Sequence, residues 1–175
     1  MKPVLVVFGI LVVVALLIVL VGWSLPVRHR VSRQATFAAS PDAVYAVIAD
    51  VEQFPAWRSK VTRVEIVASA TGARSFREFG DDGAILYVVD EAVPGRRLVT
   101  RIADDSLPFG GTWTFELAPV ANAANGTTLR ITEDGAVYNP VFRFVSKFII
   151  SQHATIDGYL ADLGRKFGTI VVISP

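Results

Sequence analysis

The chain has 175 residues, with 17 Lys and Arg against 16 Asp and Glu, for a formal net charge of +1. That balance carries no electrostatic footprint for nucleic acid, which is not expected as a partner. The absence of cysteine excludes disulfides, thiolate chemistry and Cys-ligated zinc. Mean hydropathy is nonetheless +0.47, odd for a soluble protein, and the N-terminal stretch accounts for it.

From Pro3 to Trp23 there is no charged side chain. The run matches the ~20 residues that a helix needs to cross the hydrocarbon core of a bilayer. Small residues at Gly22 and Ser24 leave a second reading open, a signal peptide cleaved after Ser24. An apolar signal core usually runs only ~7–15 residues, so the length favours a retained single-pass membrane anchor. Trp23 suits the interface and Pro26 ends the helix. Arg28, Arg30 and Arg33 follow the span and outnumber Lys2 before it, which tips the folded domain towards the cytoplasmic side. These arginines are expected to hold the first strand against anionic headgroups, with His29 among them. The only other histidine, His153, is distant in sequence, so no metal is expected. The chain divides into an anchor (3–24), a juxtamembrane basic segment (25–30), one folded domain (31–168) and a tail (169–175).

A first strand is read at Val31–Ala38. Ser40 and Pro41 then open a short amphipathic helix carrying Ala43, Val44, Val47 and Ile48. Asp50 can cap a second short helix, disturbed by Pro55 before Trp57, which is expected to pack over one end of the domain. Six strand-like runs follow: Val61–Ala68, Arg74–Phe79, Ala84–Glu91, Arg97–Ala103, Thr112–Leu117 and Thr127–Glu133. Gly80-Asp81-Asp82-Gly83, Pro94-Gly95 and Asn125-Gly126 supply hairpin turns, and Gly110-Gly111 suggests a bulge or bend. Asn139 and Pro140 start a helix that Gly168 stops. Its apolar seam (Val141, Val145, Phe148, Ile156, Tyr159, Leu163 and Phe167, broken by Gln152) predicts one continuous helix about 40 Å long. The order is strand, two short helices, six strands and a long helix.

The stretch SPDAVYAVIADVEQFPAWRSKVTRVEIV (residues 40–67), the later LPFGGTWTFEL, the Asn-Gly hairpin and the long terminal helix resemble the START/Bet v1-like superfamily, whose bacterial members include SRPBCC proteins of polyketide cyclase/dehydrase type. The resemblance covers roughly residues 31–167. It implies an α+β helix-grip fold, a curved antiparallel sheet around the C-terminal helix with an apolar cavity between them.

Alternation then nominates cavity residues. Trp113 and Phe115 share a face, as do Leu129, Ile131 and Glu133, and Phe148, Ile156 and Tyr159 would meet them from the helix. Gln152, Tyr159 and Glu133 are polar groups in phase with these apolar sets, as a ligand pocket uses. Glu133 lies near a strand end and can equally reach solvent, and the Tyr159 hydroxyl can equally sit at a core rim. No catalytic motif and no cofactor motif is present, so no catalytic residue is assigned. Three functions remain open: membrane-anchored binding or transport of a hydrophobic small molecule (lipid, quinone or polyketide-like); an enzyme of cyclase or hydrolase type acting on an apolar substrate in the same cavity; and a tethered interaction protein without ligand. The partners expected are a hydrophobic small molecule or lipid and the membrane, with oligomeric state open.

Overall fold

The computed structural model describes residues 2–68, 72–81, 83–121, 125–149, 151 and 153–175, so Asp82 and Gln152 lie outside the described residues. Helix α1 (Lys2–Ser24) precedes β1 (Arg28–Phe37), α2 (Pro41–Ala49) and a 3₁₀ helix at Val51–Ala56. Then come β2 (Val61–Val67), β3 (Ser75–Gly80), β4 (Gly83–Val93), β5 (Arg97–Ile102), β6 (Phe109–Pro119) and β7 (Thr127–Val137). Two helices, α3 (Pro140–Phe148) and α4 (Ala154–Lys166), complete the order. The strands form one antiparallel sheet in the order β1-β7-β6-β5-β4-β3-β2. The β1-to-β2 segment therefore crosses from one edge to the other, and α2 and the 3₁₀ helix fill that crossing. This is the helix-grip arrangement.

Local chemistry explains the boundaries. Ser40 accepts from the Ala43 amide at 3.3 Å, and Pro41 fills the first helical position of α2. Val44 and Ile48, four residues apart, are both fully buried. Asn139 caps α3 by accepting from the Val141 and Phe142 amides at 2.9 and 3.3 Å. After α4, Gly168 takes φ +69°, and the Thr169 amide returns to the Gly164 carbonyl at 2.9 Å. Gly110-Gly111 pairs with Ala136 and Gly135 without a register shift, so no bulge lies there. Shifts fall instead at Val61/Arg63 and Val89/Glu91.

The C-terminal helix differs from the sequence expectation. One helix does not run from Asn139 to Phe167; helix ends at Phe148 and resumes at Ala154. The Ser151 hydroxyl accepts from the His153 amide at 3.3 Å, a local bond that competes with continued helix. The two halves also serve different partners. α4 buries Ile156, Leu160 and Leu163 completely against the sheet, each such side chain contributing roughly 1.5–3 kcal/mol. α3 instead packs chiefly along α1. Phe148, expected to meet the sheet, is 59% exposed on α3.

The basic segment is also rearranged. Arg33 turns to the concave face and pairs with Asp157 of α4 at 2.8 Å, so it is not free for headgroups. His29 faces Glu133, 3.5 Å away. Arg28 and Arg30 remain exposed. The tail is tied down: Gln34 and Ser174 exchange backbone hydrogen bonds of 2.9 and 3.0 Å along the free edge of β1.

α1 is uncovered except where α3 packs beside Gly22, and its most apolar 18 residues have a mean hydropathy of 3.7. By length and composition it can cross a membrane; a signal sequence satisfies the same test.

Candidate functional site

Side chains on the concave face alternate along each strand, and those of β3 to β6 surround a recess of about 120 Å³ beneath α4. Phe76 and Glu78 enter from β3, Ile85, Tyr87 and Val89 from β4, Leu98 and Thr100 from β5, and Trp113 and Phe115 from β6. Ile48 and Phe54 close one side. From α4 come Ala154, Thr155, Gly158, Tyr159 and Asp162, one face at helical spacing, set beside the core-facing stripe of Ile156, Leu160 and Leu163. Ala154, Thr155 and Gly158, with Ser59, Lys60, Asp81 and Gly83, are exposed while lining the recess, so it opens between the first turns of α4 and the β3–β4 turn. Gly158 faces open space at that mouth, since an added Cβ would meet nothing within 4 Å.

The floor is aromatic. Tyr159 contacts the rings of Trp57, Phe115 and Trp113 at centroid distances of 5.3, 5.4 and 6.1 Å. Its hydroxyl is sealed from solvent and has no hydrogen-bond partner among the described residues. Burial pushes that hydroxyl's pKa up, so it stays protonated as a donor. Into this apolar lining the loop after the 3₁₀ helix inserts Arg58. Its guanidinium pairs with Glu78 and lies over the Phe54 and Tyr159 rings at 4.9 and 5.0 Å. The next residue, Ser59, donates its amide and hydroxyl to Asp162 at 2.7 and 3.0 Å, which ties this loop to α4. Arg165 pairs with the same carboxylate.

The residues nominated from sequence separate into groups. Trp113, Phe115 and Tyr159 line the recess. Leu129, Ile131 and Ile156 are fully buried in the packed core and do not border it. Phe148 lies outside on α3, and Gln152 is outside the described residues. Glu133 stands opposite Trp113 in the β6–β7 register and does not border the recess. Burial raises its pKa, opposed by His29 and by a hydrogen bond from the Trp113 indole. Arg58, Glu78, Gly158 and Asp162 were not singled out from sequence. Small residues four apart at Ala154 and Gly158 were the available signal for the mouth; Arg58 and Glu78 meet only through the closure of the sheet. Among the described residues no His, Asp and Glu group could hold a metal ion.

A curled antiparallel sheet gripping a C-terminal helix over a largely apolar recess defines the START/Bet v1-like class. Solved structures similar to this chain include a START superfamily protein from Mycobacterium smegmatis, 18% identical, with TM-score 0.63 over 80% of this chain and 97% of that one. The Zhui aromatase/cyclase from Streptomyces sp. R1128 is also 18% identical, with TM-score 0.63 over 79% and 93%. Norcoclaurine synthase from Thalictrum flavum is 10% identical, with TM-score 0.61 over 78% and 91%. At such identities the likeness is one of fold. No curated protein matches the chain. The model of the family described as polyketide cyclase / dehydrase and lipid transport matches residues 28–167, and the chain belongs to that family.

Proposed function

We propose that this protein binds or carries a hydrophobic small molecule (a lipid, quinone or polyketide-like compound) in the recess under α4, while α1 holds it at a membrane. The observation that carries the reading is the recess itself: mostly aromatic and aliphatic walls, one half-buried Arg58–Glu78 pair, and an open side along α4. An apolar group fits the aromatic floor, and a longer chain leaves through the mouth beside Gly158. Arg58 is the group suited to a ligand's carboxylate or carbonyl oxygen. The family's description includes lipid transport, which supports the same reading.

The test is titration of the delipidated chain in detergent with a fluorescent fatty acid, with a quinone as competitor. Saturable, displaceable binding is expected. Gly158→Phe should weaken it about tenfold, which is ~1.4 kcal/mol, without altering the far-ultraviolet circular dichroism. Absence of saturable binding across a broad lipid panel would sink the reading. The second reading, an enzyme acting on an apolar substrate, draws on the charged pair inside the recess and on fold relatives that are cyclases. It requires that the captured compound be returned chemically changed.

A further inference from the structure

α3 is held at the level where α1 ends. Gly22 faces Pro140 so closely that a Cβ at Gly22 would overlap the Pro140 carbonyl. Arg143, almost fully buried, donates from Nη1 to the Leu25 carbonyl at 2.8 Å. At about 100° per residue, Val141, Phe142, Val145, Phe148 and Ile149 share one arc of roughly 120°. Arg143 and Lys147 lie on the opposite side. An arc of this kind ordinarily faces a core, yet Phe142 is 52% and Ile149 71% exposed, and Trp23 at the end of α1 is 74% exposed.

We propose that α3 is an interfacial helix whose apolar arc is buried at the headgroup–acyl boundary of the leaflet where α1 ends. The inference rests on α1 being a retained membrane span. Lipid is the occupant that the arrangement favours, because α3 starts against Gly22 and is tied to Leu25, which puts its exposed arc at the level where the apolar helix α1 ends. Lys147, on the other side, can extend towards phosphates. The geometry has a consequence for the recess. Ala154 lies five positions beyond Ile149, at most about 18 Å of chain, and Ala154 and Thr155 flank the mouth. Burying α3 therefore sets the mouth of the recess near the bilayer surface, where an apolar ligand exchanges without crossing water.

The cysteine-free sequence makes the test direct. Full-length chain carrying Phe142→Cys, Phe148→Cys, Leu11→Cys or Glu116→Cys is labelled with an environment-sensitive fluorophore and reconstituted in phosphatidylcholine/phosphatidylglycerol nanodiscs. Labels at 142 and 148 should shift to the blue. A nitroxide at acyl carbon 5 should quench them several-fold more than the label at 116 on the convex face of the sheet. The label at 11 reports on the span, through quenching by a nitroxide at carbon 12. Quenching at 11 with none at 142 and 148 overturns the interfacial helix and leaves the anchor standing. No quenching at 11 overturns both. Labels at 142 and 148 that are shielded without lipid quenching, and exposed again at one chain per disc, would assign the arc to a second copy and overturn the proposal.

Discussion

Glu133 shows how one side chain's surroundings set its chemistry. It sits opposite Trp113 and within 3.5 Å of His29, at the end of the sheet nearest α1. Desolvation raises its pKa in the folded protein above the ordinary carboxylate value of 4.5. The native state therefore holds this proton to higher pH than the unfolded chain does. As pH rises from about 4.5 through the folded value, the group withdraws stability. Glu133→Gln lacks that loss. Its stability relative to the parent, followed by urea denaturation in detergent from pH 4 to 7, should improve as pH rises and level off above the folded pKa. A difference that is flat with pH, or that turns against Gln as pH rises, would mean that the His29 pairing outweighs the cost of burial. The sequence placed Glu133 on the apolar face of its strand, and the structure has it there. Its partners come from β1 and β6, whose side chains only the sheet register brings together.

At the scale of elements, the strands were legible because each run alternates and ends at a turn residue that tolerates the backbone required. Gly83 and Gly95, at φ +90° and +68°, are two such residues. The start of the C-terminal helical region at Asn139-Pro140 and its stop at Gly168 were legible for the same local reason. The break within it was not. Helical periodicity reports that a face is apolar without saying what covers that face. The same seam therefore runs through α3, whose arc points outward, and α4, whose stripe meets the sheet. The tie between α4 and the loop after the 3₁₀ helix was equally hidden, because Ser59 and Asp162 stand far apart in sequence. Asp162→Ala leaves the Ser59 amide without its acceptor and should cost about 1–3 kcal/mol. Equilibrium denaturation measures the loss, and an unchanged midpoint would show that the tie contributes nothing to stability.

For the whole molecule, an apolar helix, a folded domain and a recess form one arrangement. α1 and α3 meet where α1 ends, β1 follows within a few residues, and the recess opens along the helix that succeeds α3. The same sheet both builds the floor under Tyr159 and carries β1 back to α1. Order of elements and composition made the fold class readable; ligand identity has no counterpart in a linear sequence, since no single element forms the lining. The central claim is that the recess holds a hydrophobic molecule taken from the membrane. Mass spectrometry of small molecules that co-purify with the detergent-extracted full-length chain tests it most directly, with Gly158→Phe as the paired sample. The account predicts a discrete lipid, quinone or polyketide-like species, near stoichiometric with the parent chain and strongly depleted in Gly158→Phe. Bulk membrane lipid alone, in equal amounts in both samples, would contradict it.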